Sequence, residues 1–250
     1  MLPTDASADA GTAPATDPGT ETRPCQGTDN EDTLDLRLPD AFLESCARDE
    51  APTATRPATG DDLLDRVAAW GPAVTTAGVF HLVPVCIERD LPLISRWMND
   101  PAVAAFWQLD GVPDVTEAHL RAQLDGDGRS VPCVGVLKGT PMSYWEIYRA
   151  DLDPLARHYP ARPHDTGIHL LIGDAADRGR GLGSLLLRAV ADLVLDRRPA
   201  CARVVAEPDL RNTPSLAAFL HAGFRFSTEV DLPAKRAALM VRDRHLRHLL

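Results

Sequence analysis

The chain has no long apolar run and no paired cysteine motif. None of its apolar stretches approaches the roughly 20 residues that a membrane span needs, so we expect no membrane association. The N-terminus has no basic segment followed by an apolar one, so we expect no secretory signal. Single cysteines without a CxxC pair are typical of free thiols in a reducing compartment, which predicts a cytoplasmic protein. These cysteines are Cys25, Cys46, Cys86, Cys133 and Cys201.

Basic residues are also scarce relative to acidic ones. The 250 residues include 36 Asp and Glu but only 26 Lys and Arg, a formal net charge of −10. Proteins that bind nucleic acids usually carry a basic patch or stripe. The acidic balance therefore argues against a nucleic-acid partner.

The first 60 residues differ in composition from the rest of the chain. They hold seven prolines, twelve acidic side chains against four arginines, and a single aromatic residue, Phe42. Such a segment buries too little apolar surface to offset its ordering entropy. We expect residues 1–60 to be a largely disordered acidic extension, in which LDLRLPDAFLESCA forms a short docked piece. Residues 61–77 are then a linker or docked segment, and residues 78–250 form one domain.

Hydrophobic periodicity predicts the order β-α-α-β-β-β-α-β-α-β-β, an α/β fold with a mixed sheet flanked by helices. The strands are expected over 78–85, 131–137, 142–149, 166–173, 201–208, 224–232 and 237–243. The helices are expected over 89–100, 115–128, 182–195 and 212–224. The expected N-terminal caps are Asp90, Thr116, and Asn212 or Thr213.

A glycine-rich basic turn opens the third of these helices, in the stretch ADRGRGLGSLLLRAVADLVL (176–195). A Walker A loop is excluded because no lysine follows a glycine there, and Ser184 occupies the third glycine position of a dinucleotide motif. The pattern R-x-x-G-x-G does match, through Arg178, Gly181 and Gly183. Uncovered amides at a helix N-terminus, together with arginines, suit a pyrophosphate. The alternative is an ordinary glycine-rich turn with its arginines in solvent.

The element order and this turn, followed by a strand, EPDLRN, a helix and AGF, resemble the GNAT superfamily of acyl-CoA-dependent N-acyltransferases. The resemblance covers about residues 78–244 and implies a mostly antiparallel central sheet with splayed parallel strands. It implies acyl-CoA as co-substrate, either acetyl-CoA or succinyl-CoA, and no metal. The residues implied in acyl-CoA binding are Leu170, Leu171, Ile172, Arg178, Gly179, Arg180, Gly181, Leu182, Gly183, Ser184 and Asn212.

Four stretches are similar to a narrower branch, the acyltransferases of siderophore biosynthesis. They are RDLPLISRWMNDPAVAAFW, GTPMSYWEIYRADLDPLARHY, DTGIHLLIG and AEPDLRN. These enzymes acylate the N-hydroxylated side chain of lysine or a diamine to a hydroxamate. The resemblance implies a small hydroxylamine or amine acceptor, and a homodimer or an association with a siderophore synthetase is a further expectation.

Strand alternation places Tyr144, Glu146 and Tyr148 on one face. A carboxylate between two aromatic rings is a candidate seat for the distal ammonium of the acceptor, by ion pairing and cation–π contact. Trp107 is expected to cover the acceptor's aliphatic chain. The alternative is a half-exposed hairpin with ordinary aromatic packing.

His169 is the only strongly polar side chain in GIHLLIG. A lone histidine on a buried strand is more often a core residue, but the resemblance implies the general base of direct acyl transfer. Its expected partner is Glu207, with Asp209 as an alternative that would otherwise cap the next helix. A backbone N–H of residues 169–172 is expected to stabilise the oxyanion. Many relatives use a tyrosine to protonate the leaving thiolate, and Phe219 stands at that position here.

Other histidines and cations carry weaker signals. His158 and His164 fit no common zinc spacing and suit a surface loop, and His245 and His248 suit a basic C-terminal helix. Lys235 and Arg236 are either surface charges or a site for a CoA phosphate or an acidic acyl group. The rival functions are acylation of another amine, a non-catalytic acyl-CoA-binding module and a nucleotide-binding protein.

Overall fold

The computed structural model describes residue 64 and residues 66–248. The predicted extension over residues 1–60 lies outside this part. The described strands are β1 (Ala73–Thr75), β2 (Gly78–Pro84), β3 (Ser130–Leu137), β4 (Thr140–Arg149), β5 (Thr166–Ile172), β6 (Arg203–Ala206), β7 (Arg225–Leu232) and β8 (Lys235–Asp243). The described α-helices are α1 (Ile87–Met98), α2 (Pro101–Trp107), α3 (Pro113–Leu124), α4 (Leu182–Arg197) and α5 (Thr213–His221).

The eight strands form one sheet in the order β1-β2-β3-β4-β5-β6-β8-β7. All neighbours are antiparallel except β5 and β6, which run parallel. The predicted mixed sheet flanked by helices is confirmed. The predicted element order lacked β1 and α2.

The two parallel strands separate soon after they meet. They pair only at Thr166 with Val204 and at Gly167 with Val205, whereas β5 continues to Ile172 on the β4 side. The C-terminal half of β5 therefore has no partner strand on one edge. This separation is the splay that the sequence resemblance implied.

The two faces of the sheet are covered by different helices. The apolar stripe of α4, including Leu186 and Val190, is buried in the core on one face. The other face packs Trp97 of α1 and Leu120 of α3 against strand residues. The segment predicted as a linker or docked piece contributes Leu64 and two neighbours, Val67 and Trp70, to the core with α4.

Two predicted helix caps were wrong, and the third is confirmed. Helix α1 begins at Ile87, and Asp90 lies in its first turn, where the carboxylate accepts a 2.9 Å hydrogen bond from Cys86 N–H. Thr116 is buried inside α3, which begins earlier because Pro113 suits the first helical position. Asn212 caps α5 by accepting from the N–H of Ser215 at 3.1 Å.

The last described residues form only a short 3-10 turn at Arg244–Leu246, so the predicted C-terminal helix is not seen there. Within the described part, none of the helices has the length and apolar content that crossing a bilayer requires.

Candidate active site

A cleft of about 300 Å³ opens where β5 and β6 separate. Its walls come from α2, α3, β4, β5, the segment after β6, α5 and the start of β8. Seven of the predicted site residues meet there: Trp107, Glu146, His169, Leu170, Glu207, Asp209 and Asn212. The separation of the parallel strands thus creates the space in which the predicted chemistry would occur.

His169 lies between two carboxylates. Its Nδ1 is 2.8 Å from Oε2 of Glu146, the residue directly across the β4–β5 ladder, and its Nε2 is 2.5 Å from Oε1 of Glu207. Each contact of this length needs a hydrogen between the two atoms. With both carboxyls ionised, the imidazole ring carries both hydrogens and is an imidazolium.

The electrostatics of the cluster agree with this charge assignment. Burial by itself lowers the pKa of His169, but the charges and hydrogen bonds of Glu207 and Glu146 outweigh it and raise the pKa to about 10. Burial raises the pKa of Glu207, but the charge and hydrogen bond of His169 lower it to about 2. Glu207, the predicted partner of His169, is therefore in contact with it. As an imidazolium, however, His169 has no free lone pair with which to accept a proton.

Glu146, which was predicted to bind the substrate ammonium, is hydrogen-bonded to side chains of the protein. Its Oε1 accepts from His119 at 2.6 Å, from Gln123 at 2.8 Å and from the Tyr144 hydroxyl at 2.9 Å, while Oε2 faces His169. The carboxylate is buried, which by itself raises its pKa, but the hydrogen bonds and charges of His119 and His169 lower the pKa well below its usual value. With four donors already bound, the charge of Glu146 is balanced within the protein, which disfavours the predicted role as the seat of a substrate ammonium.

His119 and Gln123 were missed by the sequence analysis. They lie four residues apart on α3, so both reach the same carboxylate on β4. Ser130 donates to the Gln123 side-chain oxygen at 2.7 Å, which turns its amide nitrogen toward Glu146. Their i, i+4 spacing on one helix face was the available signal, but the facing strand could not be identified from the sequence.

Tyr148 contacts both Glu207 and His169. The phenol donates to Oε2 of Glu207 at 2.7 Å, and the ring lies 4.8 Å from the His169 ring. A Cβ at Gly167 would lie 2.0 Å from the Tyr148 ring, so only glycine leaves room for it. The predicted substrate-binding tyrosine is thus a buried support of the cluster.

The alternative partner, Asp209, is engaged elsewhere. Its carboxylate accepts from the N–H and the guanidinium of Arg211, the latter at 2.7 Å. Lys235 also reaches this end of the cleft, with its Nζ 3.5 Å from Oε1 of Glu207. These contacts favour Glu207 over Asp209 as the acid beside His169.

Trp107 and Phe219 form apolar walls. Trp107 meets the rings of Tyr144 and His169 edge-on, at 5.5 Å and 6.0 Å between centroids. Phe219 is buried against Phe224 and lines the cleft, so this position offers no hydroxyl for protonating a leaving group.

The main chain of Leu170 faces the gap between the strands. The N–H of Gly173 donates to Met142 of β4 at 2.8 Å, whereas the carbonyl of Ile172 accepts from Arg178, away from β4. Because these directions alternate along a strand, Leu170 turns its N–H and C=O into the gap as well. The side chain of Leu171 is buried between the sheet and the helices on its other face.

The glycine-rich turn has the backbone that an anion site needs. Gly179 and Gly181 have φ angles of +71° and +78°, and a Cβ on either would meet nothing within 4 Å, so the space above them is open. Helix α4 begins at Leu182, and the first N–H groups of a helix have no carbonyl partner within it. Gly183 has ordinary contacts, and the Ser184 hydroxyl donates to the Gly181 carbonyl at 3.0 Å. This turn fits a pyrophosphate.

The two arginines of the turn differ. Arg178 donates to the carbonyls of Ile172 and Gly173 and to Asp100, at 3.0, 2.5 and 3.1 Å, so its guanidinium joins the end of β5 to α2. Arg180 is exposed and contacts Asp177 at 3.4 Å. Arg180 is therefore the more open of the two to a ligand.

His158 is exposed, and the backbone N–H of His164 donates to Asp151 at 2.9 Å. Among the residues that the structure covers, no group of three His, Cys, Asp or Glu side chains is arranged to hold a metal ion.

Comparisons with known proteins agree with this geometry. The family described as "Acetyltransferase (GNAT) domain" matches residues 86–232. The lysine N-acyltransferase MbtK of Mycolicibacterium paratuberculosis is 36% identical over 199 residues, which cover 78% of this chain and 88% of the relative. The N(6)-hydroxylysine O-acetyltransferase of Escherichia coli is 37% identical over 156 residues, 62% of this chain and 49% of that protein.

Among solved structures, the aminoglycoside acetyltransferase AAC(6')-Ib in complex with coenzyme A is similar, with a TM-score of 0.60 and 25% identity. The match covers 68% of this chain and 98% of that one. The splayed strands, the glycine turn and the relatives lead to one assignment. The chain belongs to the GNAT acetyltransferase family, in the branch of these lysine and hydroxylysine acyltransferases, and is an N-acyltransferase.

Proposed function

We propose that the protein transfers an acyl group from acyl-CoA to the hydroxylated side-chain nitrogen of a small amine or amino acid, such as N-hydroxylysine or N-hydroxycadaverine. The product is a hydroxamate for siderophore biosynthesis. The observation that carries the proposal is the Glu146–His169–Glu207 cluster, which lies in the gap beside the free N–H of Leu170. The names of the relatives support the choice of acceptor.

Acyl-CoA supplies an activated thioester carbonyl when it binds. The amides at Gly181, Leu182 and Gly183 would hold its pyrophosphate, assisted by the partial positive charge of the α4 N-terminus. The N–H of Leu170 faces the gap and would donate to the carbonyl oxygen as negative charge develops on it. Asn212 lines the same cleft, but its side-chain oxygen caps α5.

The proton transfer is best assigned to His169 and Glu207 together. Because both ring nitrogens already face carboxylates, an isolated His169 base is not available in the free protein. The Glu207 carboxylate would accept one proton from the nitrogen, which becomes acidic once it has attacked the thioester, and the His169 imidazolium would give one proton to the departing sulfur. The proton on Glu207 would then pass to His169, which returns the pair to its starting state. This also fills the acid role that Phe219 cannot serve, since an imidazolium is a competent proton donor.

A product assay with the full chain tests the proposal. Acetyl-CoA or succinyl-CoA would be mixed with N6-hydroxylysine, N5-hydroxyornithine, N-hydroxycadaverine or an aminoglycoside, and the products identified by mass spectrometry. We expect a hydroxamate from at least one hydroxylamine. Acylation of the aminoglycoside alone, or binding of CoA without any transfer, would refute the proposed function.

Variants separate the role of the cluster from that of the fold. We expect His169→Ala to reduce kcat/KM by about 10²–10⁴-fold, the usual contribution of acid–base catalysis. The exposed His158→Gln change is the matched control and should leave turnover unchanged. Full turnover in His169→Ala would remove His169 from the mechanism.

A further inference from the structure

One lysine stands inside the cleft that holds the His169 cluster. Lys235 is the first residue of β8, and it is the only Lys or Arg among the described residues that line this cleft. Its neighbour Arg236 lies outside, where it pairs with Glu229 at 2.5 Å and Asp231 at 3.2 Å. The two cations are adjacent in the sequence, but the structure places only Lys235 in the cleft.

The carboxylates of the cleft are already occupied. Glu146 accepts from four side chains, Asp209 is bound to Arg211, and Glu207 accepts from His169 and Tyr148 at 2.5 Å and 2.7 Å. The charge of each of the three is therefore already balanced by donors of the protein, which disfavours the ammonium of a diamine as their partner. Among the described residues, the remaining charge in the cleft is the ammonium of Lys235, which favours an anionic ligand group.

Lys235 itself is only loosely held. Within the described part its ammonium lies 3.5 Å from Oε1 of Glu207, beyond the usual hydrogen-bond range, and its charge also acts on Asp209. That oxygen of Glu207 already receives the close contact from His169. The side chain is 28% exposed. An ammonium has three donors, so this one long contact leaves it hydrogen-bonding capacity for a ligand in the cleft.

The position of Lys235 determines which part of a bound substrate it can contact. Lys235 contacts Glu207, and Glu207 contacts His169, so the ammonium lies close to the reacting centre. The glycine turn that fits a pyrophosphate is a separate feature at the N-terminus of α4 and is not part of this cleft wall. A role in binding CoA phosphates is therefore disfavoured.

We propose that Lys235 binds a carboxylate carried by one of the two substrates, and this rests on the acyl transfer proposed above. Two sources have the required chemistry. One is the α-carboxylate of an amino-acid acceptor such as N6-hydroxylysine, and the other is the terminal carboxylate of a dicarboxylic acyl group such as succinyl. In either case Lys235 determines specificity and takes no part in the proton transfer.

A two-by-two set of substrates tests the assignment. N6-hydroxylysine and N-hydroxycadaverine differ in the α-carboxylate, and succinyl-CoA and acetyl-CoA differ in the terminal carboxylate. The kcat/KM of each pair would be measured for the wild type, Lys235→Gln, Lys235→Arg and the matched control Arg236→Gln. Thermal melting confirms that each variant folds.

We expect Lys235→Gln to reduce kcat/KM about tenfold or more for pairs that contain the recognised carboxylate, since a hydrogen bond between two charged groups is stronger than one between neutral groups. The pair lacking it should change less than about twofold, and Lys235→Arg should retain most of the preference. A loss confined to N6-hydroxylysine assigns the carboxylate to the acceptor, and a loss confined to succinyl-CoA assigns it to the donor.

Two results would overturn the proposal. An equal loss for all four pairs would mean that Lys235 acts through Glu207, and no loss for any pair would mean that it binds no substrate group. Failure of the proposed function is a distinct result, because the wild type would then form no hydroxamate from any pair.

Discussion

The Nε2 atom of His169 lies 2.5 Å from Oε1 of Glu207, although β5, which carries His169, and β6, which Glu207 follows, have already separated. Their contact bridges the mouth of the gap between β5 and the end of β6. The same ring is held on its other side by Glu146, through Nδ1. The cluster therefore joins the two walls of the cleft, and we expect its charge state to influence both stability and turnover.

The first prediction concerns stability and pH. The pKa of His169 is raised from 6.5 to about 10, so the stabilisation from its charge is fully present below pH 6.5 and is lost as the pH rises through about 10. The pKa of Glu207 is lowered from 4.5 to about 2, so its contribution is present above pH 4.5 and is lost as the pH falls through about 2. Stabilisation by the cluster is thus greatest between these limits.

Thermal melting of the wild type and His169→Gln across this range measures the effect. The Tm difference between the two proteins should be largest near pH 6 and should shrink steadily toward pH 10. His158→Gln is the control and should show no such trend. A difference that stays constant with pH would mean that His169 is neutral in the folded protein.

The second prediction concerns the packing beneath the cluster. Alanine at Gly167 would place a Cβ 2.0 Å from the Tyr148 ring, which must then move and release its 2.7 Å hydrogen bond to Glu207. We expect Gly167→Ala to cost about 1–3 kcal/mol of unfolding free energy, as overpacking typically does. Activity should fall as well.

Tyr148→Phe separates the two effects of that change, because it removes the hydroxyl and keeps the ring. We expect it to lower the unfolding free energy by about 1–3 kcal/mol, because the buried Oε2 of Glu207 loses its donor, and to lower kcat, since Glu207 loses one of the groups that fix its position. Chemical denaturation and steady-state kinetics measure both variants. Equal kcat for Tyr148→Phe and wild type would show that the phenol does not orient Glu207.

The sequence predicted the architecture well because its signals were local. The apolar run before the glycine turn, the stripe on α4 and the cap at Asn212 each specify an element from neighbouring residues. Helix α2 was missed although Asp100 and Pro101 form a typical start, because it has only seven residues and follows α1 closely. The three-residue strand β1 offers too little pattern to detect.

The site was predicted less completely because its contacts are not local. Alternation correctly put Tyr144, Glu146 and Tyr148 on one face, but it could not show that His119 and Gln123 of α3 would occupy the carboxylate of Glu146. The roles of these groups depend on which element faces the strand. That information lies in tertiary packing rather than in spacing along the chain.

The third prediction concerns the glycine turn. Gly181 has φ of +78° with open space where a Cβ would lie, so alanine there would be strained without a clash. We expect Gly181→Ala to cost about 1–2 kcal/mol of unfolding free energy, the usual cost of a left-handed residue with a side chain. Its methyl group should also weaken CoA binding, as measured by calorimetry, because it occupies the space above the amides.

Gly183→Ala is the matched control for strain. Its new Cβ would meet Ala218 at an ordinary 3.9 Å, and alanine favours a helix, so stability should not fall. If both variants bind CoA as tightly as the wild type, this turn is not the pyrophosphate site.

The fourth prediction distinguishes two roles for Arg178. If its guanidinium binds a CoA phosphate through paired N–H groups, Arg178→Lys should weaken CoA binding, because an ammonium cannot form the same paired hydrogen bonds. The structure instead gives it three protein acceptors, the carbonyls of Ile172 and Gly173 and the carboxylate of Asp100. An ammonium cannot reproduce the planar fork that spans them.

We therefore expect Arg178→Lys to lower the unfolding free energy by about 1–3 kcal/mol, since buried carbonyls lose charged donors. The intrinsic affinity for CoA should change little in the folded fraction. Denaturation curves and calorimetry on the same preparations measure the two quantities, and Arg180→Lys, which alters an exposed arginine of the same turn, should leave stability unchanged. Unchanged stability with a weakened CoA affinity in Arg178→Lys would return this residue to the phosphate site, because a structural link between β5 and α2 cannot be broken without destabilising the fold.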